Sequence, residues 1–140
     1  MQIMALMETL KIDGSSVSPK VYFSPQERLL EISGYSRPEN ARDFYNPLLQ
    51  WLEDLGSWYL KHPSADNSEP FTFKFKYIYF NSSSAKFIYD IILQVSELQK
   101  AGVPVKVYWY YDEDDDELRE AGEELSEMAH IPLQYVEISH

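Results

Sequence analysis

The stretch FTFKFKYIYF, residues 71–80, decides the fold because aromatic side chains recur in it at every second position. A period of two is typical of a β-strand, in which successive side chains point to opposite faces of the sheet. One face of this strand is aromatic throughout. The other face changes from the polar Thr72 and Lys74 to the apolar Ile78 and Phe80, so we expect the later half of the strand to be covered on both sides.

The segment after this strand changes to helical spacing. Between Ser83 and Lys100 the apolar residues recur three or four positions apart, which predicts a helix with one buried face. These residues are Phe87, Ile88, Ile91, Ile92, Val95 and Leu98. Gly102 is a typical residue just beyond a helix end, and the run Val105–Tyr111 predicts a second buried strand.

The chain before residue 71 predicts a hairpin and a helix. Val21–Phe23 and Leu29–Ile32 have strand character and are joined by the turn-forming sequence SPQE, while residues 34–39 predict a further turn. From about Asn40 to Lys61 the spacing is that of a helix with one buried face. Pro47 lies within this pattern and either kinks the helix or marks where its regular part begins.

The remaining segments complete an α/β fold. A third helix is predicted from about Glu113 to Met128, a turn at residues 130–132 and a last strand over Leu133–Ile138. The first fourteen residues are either a frayed end or a first strand. The order β-β-α-β-α-β-α-β predicts one domain over residues 1–140, a mixed sheet with about three helices packed on it.

The composition excludes several classes of protein. The chain has 140 residues, with 12 Lys and Arg against 23 Asp and Glu, so its formal charge is −11. This charge argues against nucleic-acid binding and against docking on an anionic membrane. The absence of Cys excludes disulfides and a catalytic thiol. No apolar run approaches the roughly 18 residues of a membrane span, and we expect a cytoplasmic protein.

The junction NSSSAK, residues 81–86, is the first candidate site, since it joins the aromatic strand to the helix that follows. Asn and Ser are preferred helix N-caps, so capping alone is one explanation. Phosphorylation is the other, because a helix N-terminus tolerates an added anion and Lys86 could help to neutralise it. The residues alone leave open whether Ser82, Ser83 or Ser84 is the acceptor.

The acidic run DEDDDE, residues 112–117, is the second candidate site. Acidic residues at the start of a helix interact favourably with its dipole, which is sufficient to explain the run. Asp112, Asp114 and Asp116 also have the first spacings of a calcium loop, with Glu123 at the twelfth position, but Glu117 stands where that loop requires Gly. Weak magnesium binding, or contact with a basic partner through Asp112, Asp114, Asp116 and Glu117, are the other interpretations.

Catalytic patterns are scarce elsewhere in the sequence. The three His residues have no metal-ligand spacing, and the chain contains neither a nucleophile elbow nor a glycine-rich phosphate loop. We therefore expect no catalytic residues, no metal and no cofactor.

Several segments resemble a known family. The strand–NSSSAK–helix junction, followed by QKAGVPVKVYW, resembles the STAS fold of anti-sigma-factor antagonists. The sequence is more similar still to the SiaC-type regulatory phosphoproteins. The matching segments, in chain order, are RPEN at 37–40, FYNPLLQWL at 44–52, YIYFNSSSAKFIYDI at 77–91 and YYDEDDDELREAGEEL at 110–125.

The resemblance implies a STAS-like regulatory domain that is not an enzyme. In that family a cognate kinase phosphorylates, and a phosphatase dephosphorylates, the Ser or Thr directly after the junction Asn, which implies Ser82 next to Asn81 here. It further implies an effector protein, such as a diguanylate cyclase, that binds the unphosphorylated form. Two other hypotheses compete with it: a constitutive protein-interaction subunit, and an enzyme that uses residues 112–117 with a divalent metal.

Overall fold

A computed structural model describes residues 7–140 of the chain. Within this range the chain forms strands and helices in the order β-β-β-α-β-α-β-α-β. The strands are β1 (Leu10–Ile12), β2 (Lys20–Ser24), β3 (Leu29–Ser36), β4 (Phe71–Phe80), β5 (Val105–Asp112) and β6 (Gln134–Ile138). The helices are α1 (Ala41–Lys61), α2 (Ser82–Lys100) and α3 (Asp116–Ala129).

The six strands form one mixed sheet in the order β1-β2-β3-β4-β5-β6. The hairpin strands β1, β2 and β3 pair antiparallel, whereas β3, β4, β5 and β6 pair parallel because a helix separates each from the next. The predicted α/β class and mixed sheet with three helices are confirmed. β1 adds one strand to the predicted order, and it lies in the segment for which a first strand was one of two interpretations.

The core lies on one face of the sheet. Side chains on this face are buried in every central strand, among them Ile32, Phe75 and Trp109, whereas their neighbours in the sequence are half-buried or exposed. The predicted apolar face of α2 is buried throughout, and buried residues of all three helices belong to the same cluster. The helices therefore cover one face, and the opposite face of the sheet remains open.

Helix α1 begins where its predicted pattern begins. Asn40 caps it, with its side-chain oxygen accepting a hydrogen bond of 3.1 Å from the backbone N–H of Asp43. Pro47 lies inside the helix, about 1.7 turns from its start at Ala41. The interpretation that regular helix begins at Pro47 is therefore wrong.

The later half of β4 differs from the prediction. Ile78 is 58% exposed and Tyr79 is 48% exposed, so the expectation that both sides are covered is wrong. Ile78 lies on the open face of the sheet, and a bulge brings Tyr79 to that face as well. Gly34 pairs with Tyr77 but Tyr35 pairs with Tyr79, which leaves Ile78 as an extra residue. After the bulge the alternation is reversed.

Two further boundaries differ from the predictions. β3 continues to Ser36 through the bulge, where a turn was predicted, and Gly34 has a φ of +102° that suits glycine. Helix α3 begins at Asp116 rather than Glu113, because the preceding residues form a turn and Asp115 is the N-cap. An acidic residue interacts favourably with the helix dipole at any position of the first turn, so a run of acids does not predict which residue is the first of the helix.

Candidate functional site

The serine turn, residues 81–84, lies where β4 ends and α2 begins. Asn81 is extended and donates its backbone N–H to the carbonyl of Ser36 at the end of β3, at 3.0 Å. Its side-chain oxygen accepts a 2.9 Å hydrogen bond from the N–H of Ser84, which makes Asn81 the N-cap of α2. The capping function considered from the sequence is therefore real, and it requires Asn81 alone.

The three serines of the turn lie in different environments. Ser82 and Ser83 are exposed, whereas Ser84 is 0% exposed. The hydroxyl of Ser84 lies 2.8 Å from that of Ser36 and donates to the Ser36 carbonyl at 3.1 Å. An enzyme acting on the folded protein can therefore reach Ser82 and Ser83 but not Ser84.

A chain of buried hydroxyl groups lies beneath the turn. The Ser36 hydroxyl contacts that of Tyr45 in α1 at 2.6 Å, and Tyr45 contacts the Tyr77 hydroxyl at 3.0 Å. Burial raises the pKa of Tyr77 well above its ordinary value, and burial also raises the pKa of Tyr45, against the effect of its hydrogen bonds. Both phenols therefore stay neutral, and the network joins the start of α2 to β3, β4 and α1.

Lys86 points along its own helix. Its ammonium group lies 3.1 Å from a carboxylate oxygen of Asp90 and 4.7 Å from the centre of the Phe87 ring. The side chain is 67% exposed, so the pair with Asp90 is a solvated one. The first turn of α2 contains no acidic residue, which leaves the positive end of the helix dipole unopposed there.

The acidic run is divided between two roles. The Asp112 side chain accepts a hydrogen bond of 2.9 Å from the backbone N–H of Asp114 and contacts the His140 imidazole. Asp115 caps α3, because its side chain accepts a hydrogen bond of 2.9 Å from the backbone N–H of Leu118. Asp114, Asp116 and Glu117 are exposed. The capping residue Asp115 was not among the residues singled out from the sequence, where it is one of several identical acids.

The contact between Asp112 and His140 has a defined pH window. The N–H of Asp114 and the hydrogen bond from His140 lower the pKa of Asp112, and the same carboxylate raises the pKa of His140. The stabilisation is complete between about pH 3.9 and about pH 6.5, the ordinary values of the two groups. It is lost as the pH falls through the lowered pKa of Asp112, and equally as the pH rises through the raised pKa of His140.

A shallow groove connects the end of β4 to the start of α3. Its volume is about 190 Å³, and its lining residues are Ile78, Tyr79, Phe80, Asp115, Glu117, Leu118 and Ala121. The groove brings the predicted residue Glu117 close to the end of β4, next to Asn81, whereas Asp112 contacts His140. Tyr35 pairs with Tyr79 and is 42% exposed, so it extends the apolar surface. We refer to Tyr35, Ile78, Tyr79 and the groove as the turn surface.

The described residues do not form a metal site. Within residues 7–140 no three His, Asp or Glu side chains converge as metal ligands would. In the same range no helix is long and apolar enough to cross a membrane.

Comparison with known proteins gives consistent matches over nearly the whole chain. The profile of SiaC family regulatory phosphoproteins matches residues 12–138. An uncharacterised protein of Pseudomonas aeruginosa (strain UCBPP-PA14) is 29% identical over 127 residues, which are 91% of this chain and 94% of that protein.

Two solved structures have the same fold. The crystal structure of apo-SiaC from Pseudomonas aeruginosa is 27% identical with a TM-score of 0.77, over 92% of this chain and 98% of that one. SiaC in the crystal structure of diguanylate cyclase SiaD with its activator SiaC, from the same organism, is 27% identical with a TM-score of 0.76. That match covers 94% of this chain and 99% of the other. With a profile match from residue 12 to residue 138 and a shared fold, this chain belongs to the SiaC family of regulatory phosphoproteins.

Proposed function

We propose that this protein is a phosphorylation-switched binding protein, without enzymatic activity of its own, in which Ser82 is the acceptor. A cognate kinase adds the phosphate and a phosphatase removes it. The observation that carries the proposal is the contrast between exposed Ser82, the first residue of α2, and buried Ser84 in the same turn. Ser83 is the second accessible hydroxyl.

The helix start is suited to carry a phosphate without loss of the fold. Asn81 satisfies the N–H groups of Ser84 and Ala85 through its side chain and its carbonyl. The N–H groups before them are the ones that a helix leaves without an internal partner. Since the first turn of α2 has no acidic residue, a phosphoserine there interacts favourably with the dipole.

The turn surface explains why the phosphate would change binding. Tyr35, Ile78 and Tyr79 expose apolar area next to the residue that would be modified. A phosphate adds about −1.5 to −2 charges at neutral pH, and within an apolar interface it opposes docking through the cost of its desolvation. The acids Asp115 and Glu117 at the groove add like charge. The effector would therefore bind the unphosphorylated form.

The proposed effector is a diguanylate cyclase. This rests on the SiaC that activates SiaD, with which this chain shares 27% identity and its fold over 94% of its length. The turn surface is the region of this chain that we propose to contact the cyclase.

The experiment combines site mapping with binding. Phosphosite mass spectrometry on the protein from its native cells is expected to find phosphate on Ser82. Calorimetry with a diguanylate cyclase of the same organism is expected to show binding by wild type and by Ser82→Ala, and binding weakened at least about tenfold by Ser82→Asp. The matched control is Ser83→Asp, which places the same charge one residue further along the helix.

Two outcomes would contradict the proposal. A phosphate found on Ser83 alone would show that Ser83, and not Ser82, is the acceptor. Equal binding by wild type and Ser82→Asp, with phosphate present on neither serine, would instead indicate a constitutive interaction subunit. Far-ultraviolet circular dichroism of each variant verifies that the fold is retained.

A further inference from the structure

The open face of the sheet has a composition unlike the rest of the protein. Five lysines project from its strands, namely Lys11, Lys20, Lys74, Lys76 and Lys106. The acids on the same face of these strands are Glu31 in β3 and Asp112 at the end of β5, which contacts His140. Glu27, in the turn before β3, contacts the hydroxyl of Tyr22. In a chain with a formal charge of −11, this face is locally positive.

The strand register places these lysines on a common surface. Lys11 pairs with Tyr22, Tyr22 with Glu31, Glu31 with Lys74, and Lys74 with Tyr108, so one row crosses five strands. Lys106 pairs with Thr72 on the same face. Paired residues of adjacent strands lie about 5 Å apart, so the lysines share one face of the sheet, with Tyr22 and Glu31 between Lys11 and Lys74.

Most of these ammonium groups have no carboxylate partner. Lys76 lies 3.8 Å from Glu31 and 4.9 Å from the centre of the Tyr110 ring. Among residues 7–140, the ammonium groups of Lys11, Lys20, Lys74 and Lys106 are more than 4.0 Å from any carboxylate oxygen. Their charge is therefore available to a ligand.

We propose that this open sheet face binds an acidic segment of a partner protein. The half-buried rings of Tyr22, Tyr108 and Tyr110 give a rigid amphipathic floor, and the lysines around them match carboxylates. From β1 to β6 the face is about 24 Å wide, a distance that about seven residues of extended chain can span. This surface lies on the opposite side of the sheet from the helices, and the proposal does not depend on Ser82.

The charge distribution favours a short acidic segment over a nucleic acid. A polynucleotide carries a charge at every phosphate and continues beyond the face, where it meets the acidic remainder of the molecule. From Asp112 to Glu127 ten of sixteen residues are Asp or Glu. Asp112 ends β5, and the other nine lie in the turn that follows and on α3. A segment of seven or so residues can stay within the positive surface.

The test uses fluorescein-labelled octaglutamate as the probe and fluorescence anisotropy at low ionic strength as the readout. Wild type is expected to bind, with an affinity that falls as sodium chloride is added. Lys74→Gln with Lys106→Gln is expected to bind roughly fivefold more weakly, the loss of two solvated ion pairs. The matched control, Lys61→Gln with Lys100→Gln, makes the same change of charge at the ends of α1 and α2 and is expected to bind as wild type does.

Each other outcome would overturn the proposal. Absence of binding by wild type would exclude an acidic ligand, and equal weakening by the control pair would indicate the overall charge instead of this face. Tighter binding of an eight-residue oligo(dT) would assign the face to a nucleic acid. Sedimentation that shows self-association of wild type, lost in Lys74→Gln with Lys106→Gln, would identify a second copy of this chain as the occupant.

Discussion

At the scale of single residues, Ser84 has a structural role that its neighbours lack. Its hydroxyl lies between the hydroxyl and the carbonyl of Ser36, and it is 0% exposed. Ser82 and Ser83 are exposed. The exposure of these adjacent serines differs because successive side chains at a helix start point in different directions, about 100° apart.

Replacement of Ser84 by Ala is therefore expected to destabilise the protein. The change removes the hydrogen bonds to Ser36 and leaves a buried hydroxyl with one partner fewer, which costs about 1–3 kcal/mol of unfolding free energy. Urea denaturation measures it. The control is Ser83→Ala, for which the expected change is within about 0.5 kcal/mol. Equal stability of the two variants would show that the hydrogen bonds of Ser84 in the buried network contribute nothing to the free energy of unfolding.

The burial of Ser84 could not be predicted from the sequence. Its partner, Ser36, lies 48 residues earlier in the chain, and no local pattern connects them. Capping by Asn81, in contrast, follows from local chemistry and was predicted as one explanation of the junction. Sequence thus identified the turn and its cap, and the tertiary structure decides which hydroxyls remain accessible.

At the scale of elements, α3 packs closely against β5. Trp109 of β5 is 0% exposed and donates its indole N–H to the carbonyl of Leu118 at 2.9 Å. A Cβ added at Gly122 would lie 2.6 Å from the indole nitrogen. Gly122 is therefore required by the close approach of the ring.

Gly122→Ala is expected to lower the free energy of unfolding despite the higher helix propensity of Ala. Overpacking against a buried ring costs about 1–3 kcal/mol. Most of this range exceeds the gain of about 1 kcal/mol from the higher helix propensity of Ala. The matched control is Gly56→Ala in α1, where the added Cβ meets only Leu98 Cδ2 at 3.5 Å. Thermal unfolding of both should show a decrease for the first and an increase for the second; an increase for both would refute the argument.

The elements differ in how well their boundaries could be predicted. The apolar spacing of α1 and α2 gave their extents to within a residue, because a long amphipathic pattern is a strong local signal. The start of α3 was placed three residues early, since an acidic run suits both a turn and a first helical turn. The bulge in β4 has no local signal of its own, because it arises from the pairing with β3.

At the scale of the whole molecule, the negative charge is concentrated. Ten of the sixteen residues from Asp112 to Glu127 are acidic, and the last turn of α3 contains no basic residue. Negative charges near the C-terminal end of a helix interact unfavourably with the negative end of the helix dipole, and they repel one another. Salt should therefore stabilise this molecule.

Raising sodium chloride from about 20 mM to about 500 mM is expected to increase the melting temperature, because the screening length falls several-fold over that range. Differential scanning calorimetry measures the increase. A variant with Glu120→Gln, Glu124→Gln and Glu127→Gln should melt higher at low salt and respond less to added salt. A melting temperature that falls with salt in the wild type would contradict the charge argument.

The one-residue bulge at Ile78 has a consequence for how this chain can diverge. Residues after it lie on the opposite face from the one that strict alternation would give, and Phe80 accordingly contacts Tyr77 and Trp109, with ring centres 5.5 and 6.1 Å away. Deletion of Ile78 would remove the extra residue and keep Tyr79 opposite Tyr35 and Phe80 opposite Ser36, so regular alternation would still place Phe80 on the core face. Substitutions at Ile78, and its loss, should therefore be tolerated among homologues that keep the serine turn, whereas insertion of a further residue there should be rare.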